Sequence, residues 1–406
     1  MDEPSSRLDI VSDPVEFRAL QQEWNQLWSR AEGRYCQAFA VCLLCWTEVA
    51  QPRGGKLCCI TVREQGRLVM VWPLVTYTKF FWTVVRPLAS ESTDYTSILF
   101  EATPTAPESI ERAWNAVQKR IGADIILLPY LNAESRLFEL ASARRGVVTK
   151  TAHPAAVGML RRETDWDTFS TSLGPLFQNK PGALERRLSK KGDLKIRFLG
   201  PENAEENTRL VDWMFDCKRQ WADRVDKTGK WLYSAEYRNF LVALLNQTGS
   251  EVLARLVVVS LNGAPLAVDI FGMGKTRVDD LIGGFDPAHS RSSPGTIATE
   301  HCVKWALEHQ LDFEFGAGTE KYKSYWSRNH ILTMWSMQIG NTSWGLLALK
   351  AENFRQRLRQ QSPLVEKEKL LLWLKAKVKK IHDIGGSIVT RRRDKVSEHQ
   401  SRRVTD

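Results

Sequence analysis

The stretch from Val278 to Trp326 reads VDDLIGGFDPAHSRSSPGTIATEHCVKWALEHQLDFEFGAGTEKYKSYW. Apolar residues cluster at 281–285, and from Ile297 onward they recur with the spacing of a helix face. Over residues 311–315 apolar and acidic side chains alternate, which is typical of a strand. The stretch therefore predicts a strand, a polar loop, a helix, a second strand, and a glycine-containing turn that leads into an aromatic and basic segment.

The predicted helix begins in a segment of small and polar residues: Ser292, Ser293, Pro294, Gly295 and Thr296. Proline suits the first turn of a helix because its missing N–H would have no partner there. The free N–H groups of that turn and the positive end of the helix dipole favour an anion. Arg291 can hold a phosphate through two parallel hydrogen bonds. The segment is either an anion site or an ordinary helix cap.

Four pieces of this stretch follow one another in a specific order. They are Phe285-Asp286-Pro287, Ser293-Pro294-Gly295, the acidic and aromatic residues 312–318, and Tyr322-Lys323 with Trp326. In this order they resemble the cellulose-biosynthesis-type acetyltransferase branch of the GNAT acyltransferase superfamily. That branch is related in fold to the Fem-type peptidoglycan aminoacyltransferases. The chain departs from the superfamily in one respect, because the standard Gln/Arg-x-x-Gly-x-Gly/Ala phosphate loop is not present.

The resemblance implies an acyltransferase that uses acetyl-CoA or another acyl-CoA as its co-substrate, without a metal. The acceptor it implies is an amine or hydroxyl of a small molecule, a sugar or a cell-envelope polysaccharide precursor. Two alternatives stay open. One is aminoacyl transfer from tRNA, which Fem-type relatives use as a donor. The other is a non-catalytic binding module in envelope-polymer assembly, which the nonstandard phosphate loop favours.

Acyl transfer requires a base for the acceptor, stabilisation of the thioester oxygen and a proton for the leaving thiolate. Glu314 on the second strand and Asp286 at the end of the first are rival candidates for the base, and Tyr322 for the proton donor. The cofactor-binding candidates are Arg291, Ser292, Ser293, Gly295, Thr296 and Lys323. The candidates for acceptor binding are Asp269, Arg219 and Trp221. A structural role competes with each of these assignments.

One order of elements occurs twice along the chain. The first copy comprises helices at 14–28 and 37–50 and strands at 56–63 and 67–77, and the second comprises helices at 203–223 and 237–246 and strands at 252–261 and 265–273. Gln65-Gly66 and Asn262-Gly263 mark a hairpin turn in each copy. The sequence therefore predicts an α/β fold with two tandem GNAT-like domains of mixed sheets flanked by helices.

The predicted boundaries are 1–160 for the first domain, 161–345 for the donor-binding second domain, and 346–406 for a basic amphipathic helical tail. Residues 161–200 are interpreted as a connection with a basic loop. The first domain has no counterpart of residues 292–296, so we expect it to build the groove without a donor site of its own.

The basic charge of the chain is concentrated at its end. The net charge is +10, and residues 346–406 contribute +9 of it, from 16 Lys and Arg against 7 Asp and Glu. Three interpretations remain for the tail: a helix packed on the body with a solvated basic face, contact with an anionic membrane surface, or contact with RNA phosphates. Nucleic acid is expected only in the tRNA alternative.

Composition limits the remaining function classes. The first residues lack the basic and apolar regions of a secretory signal, and the apolar runs are too short to span a bilayer. We therefore expect a cytoplasmic protein, which in one of the three interpretations above is held at the inner membrane surface by its tail. Of the seven cysteines, Cys42 and Cys45 have a zinc-like spacing but lie among apolar residues without a nearby histidine, which favours buried free thiols over a zinc site.

Overall fold

Thirteen strands form one sheet in the computed structural model, which describes residues 6–89, 95–224, 229–249 and 251–361. The strands are β1 Ser6–Val11, β2 Lys56–Glu64, β3 Arg67–Lys79, β4 Trp82–Pro87, β5 Leu99–Phe100, β6 Ile125–Asn132, β7 Val147–Gly158, β8 Leu194–Leu199, β9 Ala254–Leu261, β10 Ala264–Met273, β11 Arg277–Phe285, β12 Asp312–Ala317 and β13 Ile331–Gly340. The helices are α1 Pro14–Ala19, α2 Gln21–Arg30, α3 Phe39–Leu44, α4 Ala106–Lys119, α5 Arg136–Ser142, α6 Trp166–Ser172, α7 Ala183–Leu188, α8 Ala204–Arg224, α9 Ala235–Leu245, α10 Pro294–Glu308, α11 Lys321–Trp326 and α12 Ser343–Gln361.

The order of strands in the sheet reflects a duplication. It runs β1-β2-β3-β4-β6-β13-β7-β12-β11-β10-β9-β8, with β5 paired to β3. Two neighbouring pairs are parallel, β4 with β6 and β11 with β12, and they occupy equivalent places on the two sides of the sheet. The last strands of the two halves are exchanged, since β13 pairs with β6 while β7 pairs with β12. The predicted tandem α/β architecture is thus confirmed.

Both predicted hairpins are present. Gln65 and Gly66 join β2 to β3 with φ values of 50° and 78°, and Asn262 and Gly263 join β9 to β10 with φ values of 52° and 81°. Two successive left-handed residues match the right-handed twist of the strands they connect. A glycine at the second position adopts this conformation without a steric penalty.

The two halves share a hydrophobic core. Its buried side chains include Trp46 and Val49, which follow α3 in the first half, together with Leu241 and Leu245 of α9 in the second half. The domain boundaries at 160 and 345 stay a prediction. The chain separates at Leu347 into two units, and the sheet belongs to the first. The predicted basic tail from residue 362 onward lies outside the described residues.

The structure corrects one part of the predicted organisation. Residues 161–200, interpreted from the sequence as a connection, contain α6, α7 and β8. β8 pairs with β9 at the edge of the sheet. Its alternation of apolar with basic residues was the available signal, because an edge strand with one exposed face tolerates charges on that face.

Candidate active site

A cleft opens where the parallel pairing of β11 and β12 ends. The two strands pair only from Arg277 with Asp312 to Asp279 with Glu314. Beyond that point β11 continues along β10 to Phe285, whereas β12 bulges and pairs with β7. In the described part of the chain the facing edges are therefore not bonded to each other, and a cavity of about 550 Å³ adjoins them.

Both halves line the cavity. Tyr35, Tyr95 and Tyr130 come from the first half, and Lys218 of α8 and Tyr237 of α9 come from the second. The remaining wall is formed by β10, β11, the end of β12, and the first turns of α10 and α11. Six of the residues predicted from the sequence lie in this wall: Asp269, Ser293, Gly295, Thr296, Tyr322 and Lys323. The other six do not line it: Glu314, Asp286, Arg291, Ser292, Arg219 and Trp221.

The start of α10 faces the cavity. Ser293 precedes the helix in a left-handed conformation, with φ 50° and ψ 48°, and Pro294 occupies the first turn. The Thr296 N–H already donates to the Ser293 carbonyl at 3.0 Å. Among the described residues no acceptor is found for the Gly295 N–H. One amide of this turn thus remains for an anion, together with the dipole of a 15-residue helix.

Arg291 and Ser292 lie just before this turn, in the short 3-10 helix Pro287–Ser292. Arg291 is exposed to solvent. The Ser292 hydroxyl accepts a hydrogen bond from Lys191 Nζ at 3.1 Å. Lys191 was not predicted as a site residue, and its position places a second cation beside the helix start.

A pair of carboxyl groups, Asp269 on β10 and Asp280 on β11, forms the acidic centre of the cavity. Burial raises the pKa of Asp269 well above its usual value, and the nearby Asp280 carboxyl adds to this effect. Burial also raises the pKa of Asp280, to about 6, against the opposing charges of Lys323 and Lys218. Both carboxyl groups therefore ionise less readily than isolated ones, and the charges of Lys323 and Lys218 favour the ionised form of Asp280.

The strand that faces Asp269 carries a glycine for a steric reason. Asp269 pairs in register with Gly283. A Cβ at Gly283 would lie 2.9 Å from Asp269 Oδ1, closer than side-chain atoms approach. The sequence signal for the carboxyl pair is the Asp279-Asp280 dipeptide inside an otherwise apolar strand, and Asp280 is not among the site residues predicted from the sequence.

α11 places Tyr322 and Lys323 in the wall of the cavity, near the carboxyl pair. Lys323 is 8% exposed, and its Nζ donates to the Ala317 carbonyl at 2.9 Å. Burial, with Asp280 and Asp269 nearby, raises the pKa of Tyr322 well above its usual value. Its phenol is therefore protonated at neutral pH and can donate a hydrogen bond into the cavity. Gly318, with φ 149°, lets the turn pass close to Lys323 Nζ.

Glu314 lies behind the cleft in a buried ion network. Its carboxylate is 0% exposed and contacts Arg34 at 2.8 Å and Arg277 at 2.9 Å. Arg34 also binds Asp279. Burial would raise the pKa of Glu314, but the Arg34 and Arg277 guanidinium groups together hold it below its usual value. Such a carboxylate is a weak proton acceptor.

The three remaining candidates lie away from the cavity. Asp286 caps the 3-10 helix by accepting from the Ala288 N–H and from His289, both at 2.8 Å. Arg219 pairs with Asp216 at 2.8 Å. Trp221 is 39% exposed.

Comparison with known proteins identifies the part of the chain that builds the cleft. Residues 182–324 match the sequence model of the family described as Acetyltransferase (GNAT) domain. These residues are therefore similar in sequence to a GNAT-type acetyltransferase domain. The match includes β11, α10 and β12, which surround the cavity. The cellulose-biosynthesis branch stays a prediction. No curated protein matches the chain in sequence.

Solved structures are similar over most of the chain. FemX shares 11% identity and a TM-score of 0.55 over 84% of this chain and 100% of its own. A conserved protein of unknown function from Bacteroides thetaiotaomicron VPI-5482 shares 12% identity and a TM-score of 0.52 over 82% and 100%. At such identities the likeness shows the fold alone.

The described residues were also compared with the requirements of metal sites, membrane spans and disulfides. They contain no group of three or more His, Cys, Asp or Glu placed to hold a metal ion. None of the described helices is long and apolar enough to cross a membrane. All seven cysteines are buried free thiols, as the sequence predicted.

Proposed function

We propose that the chain transfers an acyl group, most simply acetyl, from acyl-CoA to an amine or hydroxyl of a sugar or cell-envelope precursor. One observation carries the proposal: the β11/β12 cleft joins an anion-suited helix start to the carboxyl pair of Asp269 and Asp280 within one cavity. The match of residues 182–324 to a GNAT domain supports a transferase. The choice of a polysaccharide acceptor rests on the sequence resemblance.

The donor pyrophosphate docks at the start of α10. The Gly295 N–H and the helix dipole supply the positive field, and Lys191 and Arg291 lie beside them on the Ser292 side. From there the donor's pantetheine arm extends into the cleft. Backbone groups on the separated edges of β11 and β12 can then hydrogen-bond the arm and polarise the thioester carbonyl.

The carboxyl pair takes the acceptor's proton. The acceptor nitrogen or oxygen attacks the thioester carbonyl carbon while Asp280, whose ionised form is favoured by Lys323 and Lys218, removes its proton. The geometry thus favours Asp280 over the two bases suggested by the sequence. Glu314 is held in ion pairs outside the cavity, and Asp286 is engaged as a cap.

The leaving group is protonated from α11. When the C–S bond breaks, the thiolate requires a proton, and Tyr322 lines the cavity with its phenol protonated. Lys323 holds the Ala317 carbonyl and offsets the charge of Asp280. We assign it a positioning role beside Tyr322.

Aminoacyl-tRNA is the second candidate donor, and one observation favours it. Arg186, Arg187, Lys190 and Lys191 follow one another closely along the chain and are all exposed. Lys191 connects this basic segment to Ser292 at the start of α10. A row of exposed cations beside a donor site is suited to a phosphate backbone longer than that of coenzyme A.

Titration calorimetry with acetyl-CoA, longer acyl-CoAs and tRNA tests these proposals. Binding of acyl-CoA together with thiol release in the presence of amino sugars supports the first. Binding of tRNA alone, with a steep salt dependence, supports the second. If neither donor binds, both enzyme proposals fail and the binding-module alternative gains support.

A further inference from the structure

The β3–β4 hairpin ends in two exposed phenylalanines. Lys79 pairs with Trp82, so Phe80 and Phe81 form the two-residue tip of the hairpin. Their side chains are 79% and 83% exposed. Aromatic side chains are otherwise the residues that contribute most to cores and interfaces. Two adjacent ones held in solvent at the end of a hairpin indicate a contact that the isolated chain does not make.

The backbone conformation of the turn gives a second reason to expect a function for these exposed side chains. Phe80 has φ 57°, in the left-handed region that bulky residues rarely adopt. The turns at Gln65-Gly66 and Asn262-Gly263 use glycine and a polar residue, which suit such turns. At the tip the sequence instead carries a phenylalanine at a strained position. Local stability does not explain that choice, whereas a need for apolar surface does.

The base of the tip carries further aromatic and apolar residues. The Trp82 ring contacts the Trp344 ring at a tilt of 33°, with the ring centroids 5.9 Å apart. Trp344 is 50% exposed and Leu347 is 57% exposed. Tryptophan prefers the level of lipid headgroups, where one side of the ring is wet and the other apolar.

A basic residue lies next to the tip. Residues 67–87, which form the hairpin, contain Arg67, Lys79 and Arg86 and no Asp or Glu. Lys79, next to the tip, is exposed. An apolar tip beside an exposed lysine complements an anionic surface that has an apolar interior.

We propose that the tip formed by Phe80 and Phe81 inserts into the headgroup region of an anionic lipid bilayer and holds the protein at that surface. A stable protein interface buries at least ~1,200 Å² in total, which two side chains on a narrow hairpin do not provide. Peripheral membrane binding needs only a small apolar insertion combined with basic residues. The lipid surface is therefore the occupant that the residues fit best.

The full-length chain with Phe80→Gly and Phe81→Asn tests the proposal. This double change removes the apolar tip and installs a favourable hairpin turn, so we expect folding to be retained, with an unfolding midpoint equal to or above that of the wild type. The matched control is Phe177→Asn. Phe177 is also exposed, at 65%, and also has a positive φ, of 47°, but belongs to the second half.

Co-sedimentation is measured with vesicles of roughly three parts phosphatidylcholine to one part phosphatidylglycerol. We expect the wild type and the Phe177→Asn control to bind, and the double variant to bind roughly tenfold more weakly or worse. Equal binding of the wild type and double variant overturns the proposal, as does failure of the wild type to bind. The competing possibility is that the tip contacts a second copy of the chain, and light scattering tests it. If the wild type is a dimer, the double variant is a monomer and vesicle binding is unchanged, the tip is assigned to a second copy.

Discussion

Asp280 is the residue whose replacement bears most directly on the proposed chemistry. Asp280→Asn keeps the shape of the side chain and removes the proton acceptor. General-base catalysis contributes roughly 100-fold or more, so we expect kcat with acetyl-CoA to fall by about that factor. The affinity for coenzyme A, measured by calorimetry, should be unchanged because its phosphates bind at α10. Asp193→Asn, an exposed carboxylate paired with Lys195, is the control. A variant that keeps most of the wild-type rate removes Asp280 from the mechanism.

The pKa of Asp280 sets the expected pH dependence. Burial raises that pKa to about 6, and the base must be ionised, so kcat/KM should fall about tenfold per pH unit below about 6. The unfolding free energy should change in the opposite direction with pH. A carboxyl with a raised folded-state pKa holds its proton more tightly when folded, so this contribution to the unfolding free energy is lost as pH rises from ~4 through about 6. Rate profiles and urea unfolding at matched pH values measure both. A rate that stays constant across this window contradicts the assignment.

At the residue scale, the sequence predicts which side chains lie in the cavity better than it predicts what each of them does there. Tyr322, Lys323 and Asp269 reach the cavity as expected. Glu314 has the residue type of a base, but Arg34 removes that capacity, and Arg34 lies 280 positions earlier in the chain. No local pattern signals such a partner. The pKa of a carboxylate depends on surroundings that only the fold assembles.

At the element scale, the start of α10 gives the sharpest prediction. Gly295→Asp places a carboxylate where the donor pyrophosphate is proposed to bind, and its Cβ would meet Phe285 at an ordinary 3.5 Å. An acidic residue in the first turn stabilises a helix by roughly 0.3–1 kcal/mol. We therefore expect an unchanged or higher unfolding midpoint together with at least about tenfold weaker coenzyme A binding, by calorimetry.

A matched change at another helix isolates this effect. Ala235→Asp introduces the same acidic side chain at the first position of α9, where Ala235 is exposed. It should leave coenzyme A binding unchanged. Equal affinities in the wild type and both variants would place the pyrophosphate elsewhere and remove the main support for an acyl-CoA donor.

Turns and helices that depend on neighbouring residues could be predicted from the sequence. Strands that depend on pairing with distant parts of the chain could not. The turns at Gln65-Gly66 and Asn262-Gly263 require left-handed residues, and the sequence names them directly. The apolar stripe of α10 similarly predicts a helix. β7 was missed, since its pairing with both β12 and β13 comes from an exchange of strands between halves. Such an exchange leaves no mark in the spacing of residues.

At the scale of the whole molecule, Arg34 connects the two halves through charge. It follows α2 in the first half and binds Asp279 and Glu314 in the second. Removing one partner of a buried ion network leaves the others unpaired, so we expect Arg34→Ala to lower the unfolding free energy by roughly 3–5 kcal/mol in denaturant titrations. Arg30→Ala, which removes a half-buried pair with Glu101, should cost only about 0–1 kcal/mol. Similar losses in both variants would show that the network adds no special stability.

The duplication also predicts how many donors the molecule binds. The first half has the equivalent parallel pair, in which Val84 and Val85 of β4 align with Ile125 and Ile126 of β6. Thr96 bridges Leu131 further along β6, and its N–H donates to the Pro129 carbonyl at 3.0 Å. This segment occupies the edge of β6 that the second half leaves open on β12.

Because that edge is already bonded, we expect calorimetry to find one coenzyme A per chain. The Gly295→Asp variant makes the test sharper, since a donor site in the first half would remain as a second isotherm after the site at α10 is disabled. Two coenzyme A molecules per chain, or tight coenzyme A binding that remains in the variant, would contradict the proposal that only the second half binds the donor. A single site that disappears in the variant means that duplication supplied one half to bind the donor and another to complete the wall around its acceptor.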